Sequence, residues 1–206
     1  MNNKNKINRF TTIPVLIDMI RRQRLVLMDP SLWEDKNDSE LMLEYKRQKK
    51  VKKLFAICFC CGGETIHHWN AFAGANGCCI EFDRELLIRR LHKLHGVRYD
   101  DVTYKEIEDI DPNRIETRRI PFTKRWPYKC EKEFRIIWEG NTNQACHEIP
   151  IDYDMIRKIT ISQKVPGSVF ATIRDYLRDV LCRPSITINH STIFRNRKWI
   201  DKFKRA

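Results

Sequence analysis

Apolar residues along this 206-residue chain alternate between helical spacing and short continuous runs. Val15, Leu16, Met19 and Ile20 recur at helical intervals behind Pro14, which suits a first helical turn, so an amphipathic helix is predicted there. Runs of apolar, β-branched and aromatic residues bounded by turn residues predict strands elsewhere. The predicted strands cover residues 10–13, 24–28, 54–60, 78–82, 97–99, 128–138, 149–151, 156–162 and 185–189. Further helices are predicted from a cap at Asp38 or Ser39 through Lys50, at 65–73, at 83–94 and, behind Ser168, at 169–181.

The order of these elements indicates an α+β fold rather than a strict β-α-β alternation. The sequence has no internal repeat, low-complexity block or linker. A single domain over residues 1–206 is therefore expected, with helices packed on curved mixed or antiparallel sheets. Residues 100–120 are rich in charge and are expected to form a mobile excursion or a helical insert.

Charged residues alternate with apolar ones in the predicted strand 128–138. Because alternate side chains of a strand share a face, Cys130, Phe134 and Ile136 should lie on one side. Two acids and a base, Glu131, Glu133 and Arg135, should share the other. Such groups are costly to bury without partners. They indicate either a solvated face with cross-strand ion pairs or the wall of a polar cleft.

The balance of charge points to an anionic partner. Lys and Arg number 39 against 27 Asp and Glu, a formal net charge of +12. Nucleic acid is the partner that this balance favours, although charge does not distinguish RNA from DNA. Lys124, Arg125 and Arg135 are candidate contacts. No apolar run is long enough to span a bilayer, and the N-terminus lacks the apolar stretch of a signal peptide, so a cytoplasmic protein without a membrane partner is expected.

The 8 cysteines do not have the spacing of a zinc site, since none forms a Cys-x-x-Cys pair. Several lie in apolar runs, where cysteine acts as a small hydrophobic residue. Reduced thiols and no bound metal are expected. Cys60, Cys61, His67 and His68 could in principle combine as ligands, but their spacing disfavours it.

Five blocks of the chain resemble a widespread bacterial family of domains of unknown function. The two most specific are Gly-Cys-Cys-Ile-Glu-Phe at 77–82 and Tyr-Lys-Cys-Glu-Lys-Glu-Phe-Arg at 128–135. The others are 9–12, 32–38 and 69–73, so the resemblance covers nearly the whole chain. This family implies no activity.

The opening block, its helix and residues 24–27 are also similar to the start of DNA-targeting ADP-ribosyltransferase toxins. That resemblance implies an ADP-ribosyltransferase-like fold, NAD as the cofactor and a catalytic glutamate on a late strand. It carries over mainly to Glu133, with Glu131 beside it, because no His-Tyr-Glu or Arg-Ser-Glu triad is found. Residues of the types that grip phosphates or stack on rings are Arg9, Thr11, Trp69 and Phe72.

Three alternative functions are therefore compatible with the sequence. The first is an ADP-ribosyltransferase-like toxin or phage-defence effector that modifies nucleic acid, with an antitoxin protein as a further partner. The second is a nuclease toxin with Glu131, Glu133, Arg135 and His147 near the scissile phosphate. The third is a noncatalytic nucleic-acid-binding module whose acids only pair with arginines.

Overall fold

Strands and helices mix along the chain without a regular alternation. The strands are β1 (Lys6–Thr12), β2 (Arg24–Leu27), β3 (Lys53–Cys60), β4 (Gly77–Asp83), β5 (Val97–Asp101), β6 (Thr103–Lys105), β7 (Thr123–Arg125), β8 (Glu133–Gly140), β9 (His147–Pro150), β10 (Ile156–Ile161) and β11 (Thr187–His190). The helices are α1 (Ile13–Arg22), α2 (Lys36–Lys49), α3 (Ile66–His68), α4 (Arg84–Leu91), α5 (Gly167–Leu181) and α6 (Arg197–Phe203). Parallel and antiparallel strand pairs both occur, which confirms the α+β class with mixed sheets.

The computed structural model describes residues 5–183 and 186–204, which group into two units. The first unit consists of residues 5–7, 24–62 and 84–151, and the second of residues 8–23, 63–83 and 152–204. The expectation of a single domain stays a prediction. None of the helices in the described residues is both long enough and apolar enough to cross a membrane.

In the first unit, β8 lies between β3 and β5 and is antiparallel to both. Apolar residues from this sheet pack against α2, against Ile120 at the end of the segment 100–120 and against Phe122 just after it. The packed cluster consists of Met42, Tyr45, Leu54, Ala56, Ile120, Phe122 and Ile137. Short pairs complete the unit: β2 with β9, antiparallel, and β6 with β7, parallel. The end of the charged segment is therefore anchored in the core by apolar side chains.

In the second unit, β10 pairs with β4 in antiparallel and with β11 in parallel orientation. Helix α1 buries Leu16, Met19 and Ile20, as its periodicity predicts, whereas Val15 of the predicted set is 50% exposed. Helix α5 buries Leu177 and Leu181.

Several predicted boundaries are wrong. The cap of α2 is Asp35, whose side chain accepts from the backbone N–H groups of Asn37 and Asp38. Helix α4 ends at Leu91, three residues early, and Pro166 rather than Ser168 precedes α5. Helix α6 was not predicted from the sequence. The last predicted strand begins at residue 185, outside the described residues, and its described part runs from Thr187 to His190.

Candidate functional site

The most concentrated group of charges in the first unit lies at the beginning of β8. Residues Trp126–Glu131 form a 3-10 turn rather than the start of the predicted strand, because Pro127 favours a turn. Lys132 follows with a positive φ of 46° and redirects the chain into β8. The backbone N–H of Glu133 donates to the hydroxyl of Tyr104 at 2.8 Å. Glu131 therefore precedes the strand, whereas Glu133 and Arg135 share one of its faces.

Arg135 is 0% exposed and is surrounded by acceptors. Its Nε donates to Oε1 of Glu133 at 2.6 Å, and Nη1 and Nη2 donate to the two carboxylate oxygens of Asp38 at 2.9 and 2.6 Å. Nη1 also donates to the carbonyl of Pro121 at 2.9 Å. The guanidinium lies 5.0 Å from the ring centre of Trp33. A buried arginine thus joins β8 to helix α2.

Lys124 of β7 supplies the second cation. Its Nζ lies 2.7 Å from Oε2 of Glu131 and 3.6 Å from both Oε2 of Glu133 and Oδ2 of Asp38. Oδ2 of Asp35 lies 3.9 Å away. We call these six side chains, Asp35, Asp38, Lys124, Glu131, Glu133 and Arg135, the buried charge cluster. It combines four carboxylates with two cations.

The cations determine the ionisation of Glu133. Burial by itself would raise the pKa of Glu133, but Arg135 and Lys124 outweigh burial and lower the pKa from 4.5 to about 2. Burial would lower the pKa of Lys124, yet the carboxylates of Glu133, Asp38 and Glu131 hold it above its ordinary value. Near neutral pH, Glu133 is a fixed carboxylate and Lys124 a fixed ammonium.

The cluster corrects three expectations drawn from the strand pattern. The solvated-face interpretation is wrong, because Glu131, Glu133 and Arg135 are 6%, 4% and 0% exposed. Arg135 is an internal cross-link and not a nucleic-acid contact. Lys124, with 9% of its side chain exposed, is likewise committed to acids. Arg125 is exposed and keeps its predicted role as a candidate nucleic-acid contact.

The side chains around the cluster include types that hold a dinucleotide in other proteins. Carboxylates can hold ribose hydroxyls, the exposed Arg125 can face a phosphate, and the half-buried ring of Tyr128 can contact a base. The cavity that Asp35, Lys124 and Tyr128 line measures only about 30 Å³, room for one water molecule. Lys124 occupies the space between the acids, so a dinucleotide requires this side chain to move.

The residues predicted to bind the cofactor lie in the second unit. Trp69 is 1% exposed, packs edge-on against Phe10 at 5.5 Å and donates from Nε1 to Glu64 at 3.2 Å. Its ring is therefore a core element without a free face for stacking. Thr11 is 7% exposed, Arg9 is half-buried and Phe72 is 42% exposed. Phe72 and Arg9 remain the accessible members of the predicted set.

Burial controls the thiols of Cys58, Cys61 and Cys78. Burial raises the pKa of Cys58 well above its ordinary value, and raises the pKa of Cys61 and Cys78 to about 12. These thiols are protonated near neutral pH and are poor nucleophiles. Within residues 5–183 and 186–204, no group of three or more His, Cys, Asp or Glu side chains is arranged to hold a metal ion.

Sequence reasoning missed Asp38 and Tyr104 as members of the site. The sequence predicts Asp38 or Ser39 as the helix cap, but the cap is Asp35, and Asp38 lies in the first turn, 5% exposed and bonded to Arg135. Tyr104 lies in a segment that was predicted to be mobile or helical. An acid three residues after a competing cap residue is the only sequence signal that could have indicated Asp38.

No protein-family model and no curated protein sequence matches this chain. Solved structures that resemble it are those of DarT from Thermus sp. 2.9. The structure in complex with ADP-ribosylated ssDNA has a TM-score of 0.44 and 11% identity, covering 91% of this chain and 94% of that chain. The complex with carba-NAD+ gives 0.45 and 8%, covering 93% and 97%, and the complex with NAD+ gives 0.44 and 9%, covering 91% and 96%. Likeness at this level establishes neither a shared fold nor a shared activity.

Proposed function

We propose that this protein is an ADP-ribosyltransferase that uses NAD to modify nucleic acid. The observation that carries the proposal is the pair of buried acids, Glu131 and Glu133, held around Lys124 at the beginning of β8. This pair lies in the block 128–135, where the chain resembles a bacterial family and, through its late-strand glutamate, the DNA-targeting transferase toxins. The exposed basic surface supplies attraction for a polyanionic acceptor.

The chemistry suits a fixed negative charge. The glycosidic bond of NAD breaks, nicotinamide leaves, and an acceptor atom of the nucleic acid bonds to ribose C1 and releases its proton to water, through an oxocarbenium-like transition state. A carboxylate whose pKa is about 2 stays ionised and stabilises developing positive charge. It is a weak base for the same reason, so the role of Glu133 is electrostatic rather than proton abstraction. Glu131, bonded to Lys124, is the second group that can hold the ribose hydroxyls.

A nuclease fits the geometry less well. The Lys124 ammonium stands among the carboxylates, at 2.7 to 3.9 Å, in the position that a divalent cation would take. His147 stacks on Trp138 at 4.6 Å. Trp138 is five residues along β8 from Glu133, or roughly 17 Å at the rise of a strand. The fourth member of the predicted nuclease set is therefore remote from the acids.

Labelled NAD tests the proposal directly. Purified protein is incubated with labelled NAD and single-stranded DNA, RNA or protein acceptors, and label transfer is measured for the wild type, Glu133→Gln and Glu131→Gln. We expect transfer to nucleic acid that falls by orders of magnitude in Glu133→Gln and less in Glu131→Gln. Glu85→Gln, an exposed carboxylate on α4, is the matched control and should retain full transfer.

Thermal melting of each variant separates chemistry from folding. A Glu133→Gln protein that melts normally and transfers fully would refute the catalytic assignment. One that unfolds would favour the noncatalytic module, in which Glu133 only neutralises Arg135. Cleavage of nucleic acid without NAD would favour the nuclease.

We further propose that the activity is toxic and serves phage defence from the cytoplasm, under the control of an antitoxin protein. Induced expression of the wild type should arrest bacterial growth, whereas Glu133→Gln should not at equal soluble yield. Growth that is unaffected by the wild type would contradict a toxin.

A further inference from the structure

A groove of about 690 Å³ lies in the second unit, beside the ends of β10 and β11. It shares no lining residue with the buried charge cluster, and no predicted site residue lines it. Its walls include Glu64, Lys158, Thr160, Asn189 and Trp199. The volume is in the range of sites that hold a drug-sized ligand. A carboxylate, an ammonium, a hydroxyl, an amide and an indole ring therefore converge on one space.

One carboxylate oxygen of Glu64 is held in place by two hydrogen bonds. Its Oε2 accepts from Nε1 of the buried Trp69 and from Oγ of Ser191, both at 3.2 Å. Its Oε1 lies 3.7 Å from Nζ of Lys158, too far for a hydrogen bond. A carboxylate with one oxygen anchored and the other with remaining acceptor capacity is prepared to accept an N–H group from a ligand.

Thr160 lies on the wall of the groove. The residue is 2% exposed, and its Oγ1 makes no hydrogen bond within the described residues.

Trp199 provides a surface for stacking. It is 66% exposed and lies on α6, where its backbone N–H donates to Oδ1 of Asn196 at 3.0 Å. Exposed cations flank it along the chain: Arg195, Arg197, Lys198 and Lys202. An exposed ring among cations is the combination that binds single-stranded nucleic acid, through base stacking and phosphate attraction.

We propose that this groove binds a base of single-stranded nucleic acid and prefers a base with an exocyclic amine. Trp199 stacks on the base, Oε1 of Glu64 accepts from the amine beside its ion-pair partner Lys158, and the cations of α6 hold the adjacent phosphates. A thymine or uracil presents a carbonyl oxygen in the place of the amine, and this oxygen would face the Glu64 carboxylate unfavourably. The inference rests on the nucleic-acid acceptor of the proposed function, but it requires no ADP-ribosyl transfer.

Fluorescence anisotropy of labelled oligonucleotides tests the groove without NAD. Oligo(dC) and oligo(dU) differ at position 4 of the base by an amine against a carbonyl. We expect the wild type to bind oligo(dC) more tightly, and Trp199→Ala to weaken binding about tenfold, as expected when one stacked base is lost. Ile200→Ala is the matched control, since Ile200 is 40% exposed on the same helix but does not line the groove. It should bind like the wild type.

Glu64→Gln provides the decisive variant. Its amide can keep an oxygen toward Trp69 and Ser191 and present an N–H₂ group to the base, which suits a carbonyl oxygen. The preference should therefore move from oligo(dC) toward oligo(dU). An unchanged ratio of affinities in Glu64→Gln, or normal binding by Trp199→Ala, would overturn the proposal and leave α6 as a surface for a protein partner.

The proposed base-binding groove and the proposed transferase activity can be refuted independently of each other. Transfer of label from NAD without base preference would contradict the groove and leave the transferase standing. Base-selective binding that depends on Trp199 and Glu64, in a protein that transfers no label, would support the groove and contradict the transferase.

Discussion

Asp38 and Arg135 form a two-pronged ion pair between helix α2 and strand β8, with both carboxylate oxygens bonded to the guanidinium at 2.9 and 2.6 Å. Both side chains are almost entirely buried, at 3% and 0% exposure. Such a pair adds little net stability, because desolvation offsets its attraction. Removing one partner destabilises the protein, because the remaining charge stays buried without a counter-ion.

Replacing Arg135 by methionine should destabilise the protein by about 3 kcal/mol or more, because Asp38 and Glu133 lose their main counter-ion. Urea unfolding measures the loss. Arg89→Met, at a side chain that is 72% exposed, should change stability by less than about 0.5 kcal/mol. Adding Asp38→Asn to Arg135→Met should recover part of the loss. No recovery would indicate that packing, not charge, dominates.

Acid should destabilise the protein through Glu133. Its pKa is depressed from 4.5 to about 2 in the folded state, so its contribution is present above pH 4.5 and is lost as the pH falls toward 2. Urea midpoints measured across this window should therefore decrease less steeply in Glu133→Gln than in the wild type.

Glu44 serves as the control for that titration. Its pKa is also lowered to about 2, by hydrogen bonds from Arg47 and Gln48, but it is exposed on α2. Glu44→Gln should leave the slope almost unchanged because solvent screens the interaction. Equal slopes for Glu133→Gln and the wild type would contradict the buried ion pair.

The hydroxyl of Tyr45 should matter for stability. Tyr45 is fully buried, donates to Oε2 of Glu139 and accepts from Nη1 of Arg98. Tyr45→Phe leaves these partners without the bridging hydroxyl and should cost about 1–3 kcal/mol. Tyr176→Phe is the control, because the hydroxyl of Tyr176 makes no hydrogen bond within the described part of the chain. A similar loss in both variants would show that the bridge contributes nothing.

Gly77 is required by the close approach of two backbone segments. A Cβ at this position would lie 2.1 Å from the carbonyl oxygen of Ala73, a contact that no side-chain rotation relieves. Gly77→Ala should cost about 2–3 kcal/mol, measured by urea unfolding.

Gly167 offers the opposite case at the first residue of α5. A Cβ there meets nothing within 4 Å. Gly167→Ala should be neutral or stabilising by up to about 1 kcal/mol, since alanine favours helix. For Gly77→Ala, in contrast, unchanged stability would show that the backbone segments around Ala73 and Gly77 separate easily.

The predictable parts of the fold are those with strong local signals. Helix α1 follows from Pro14 and its apolar spacing, and the strands β3, β4 and β8 follow from apolar runs. Helix α6 was missed because its seven residues are mostly charged or exposed and bury nothing in the described residues. The turn before β8 depends on a left-handed backbone conformation at Lys132. Lysine rarely adopts a positive φ, so the residue type gives no signal for this turn.

The candidate site was predictable only in part. Alternation correctly placed Glu133 and Arg135 on one face, but it could not show whether that face is wet or dry. The answer depends on Asp38, which lies 97 residues before Arg135 in the sequence, and on Lys124 from a short parallel strand pair. Partners brought together by tertiary packing leave no spacing pattern in a single sequence.

The buried charge cluster also changes how the protein presents itself to ions in solution. Its four carboxylates and two cations leave more cations than acids among the groups that a bound molecule can touch, while the field at a distance still reflects the total charge of +12. Salt screens that distant field beyond about 8 Å. The interior arrangement of acids therefore favours polyanions at the stage of direct contact, without changing their attraction from afar.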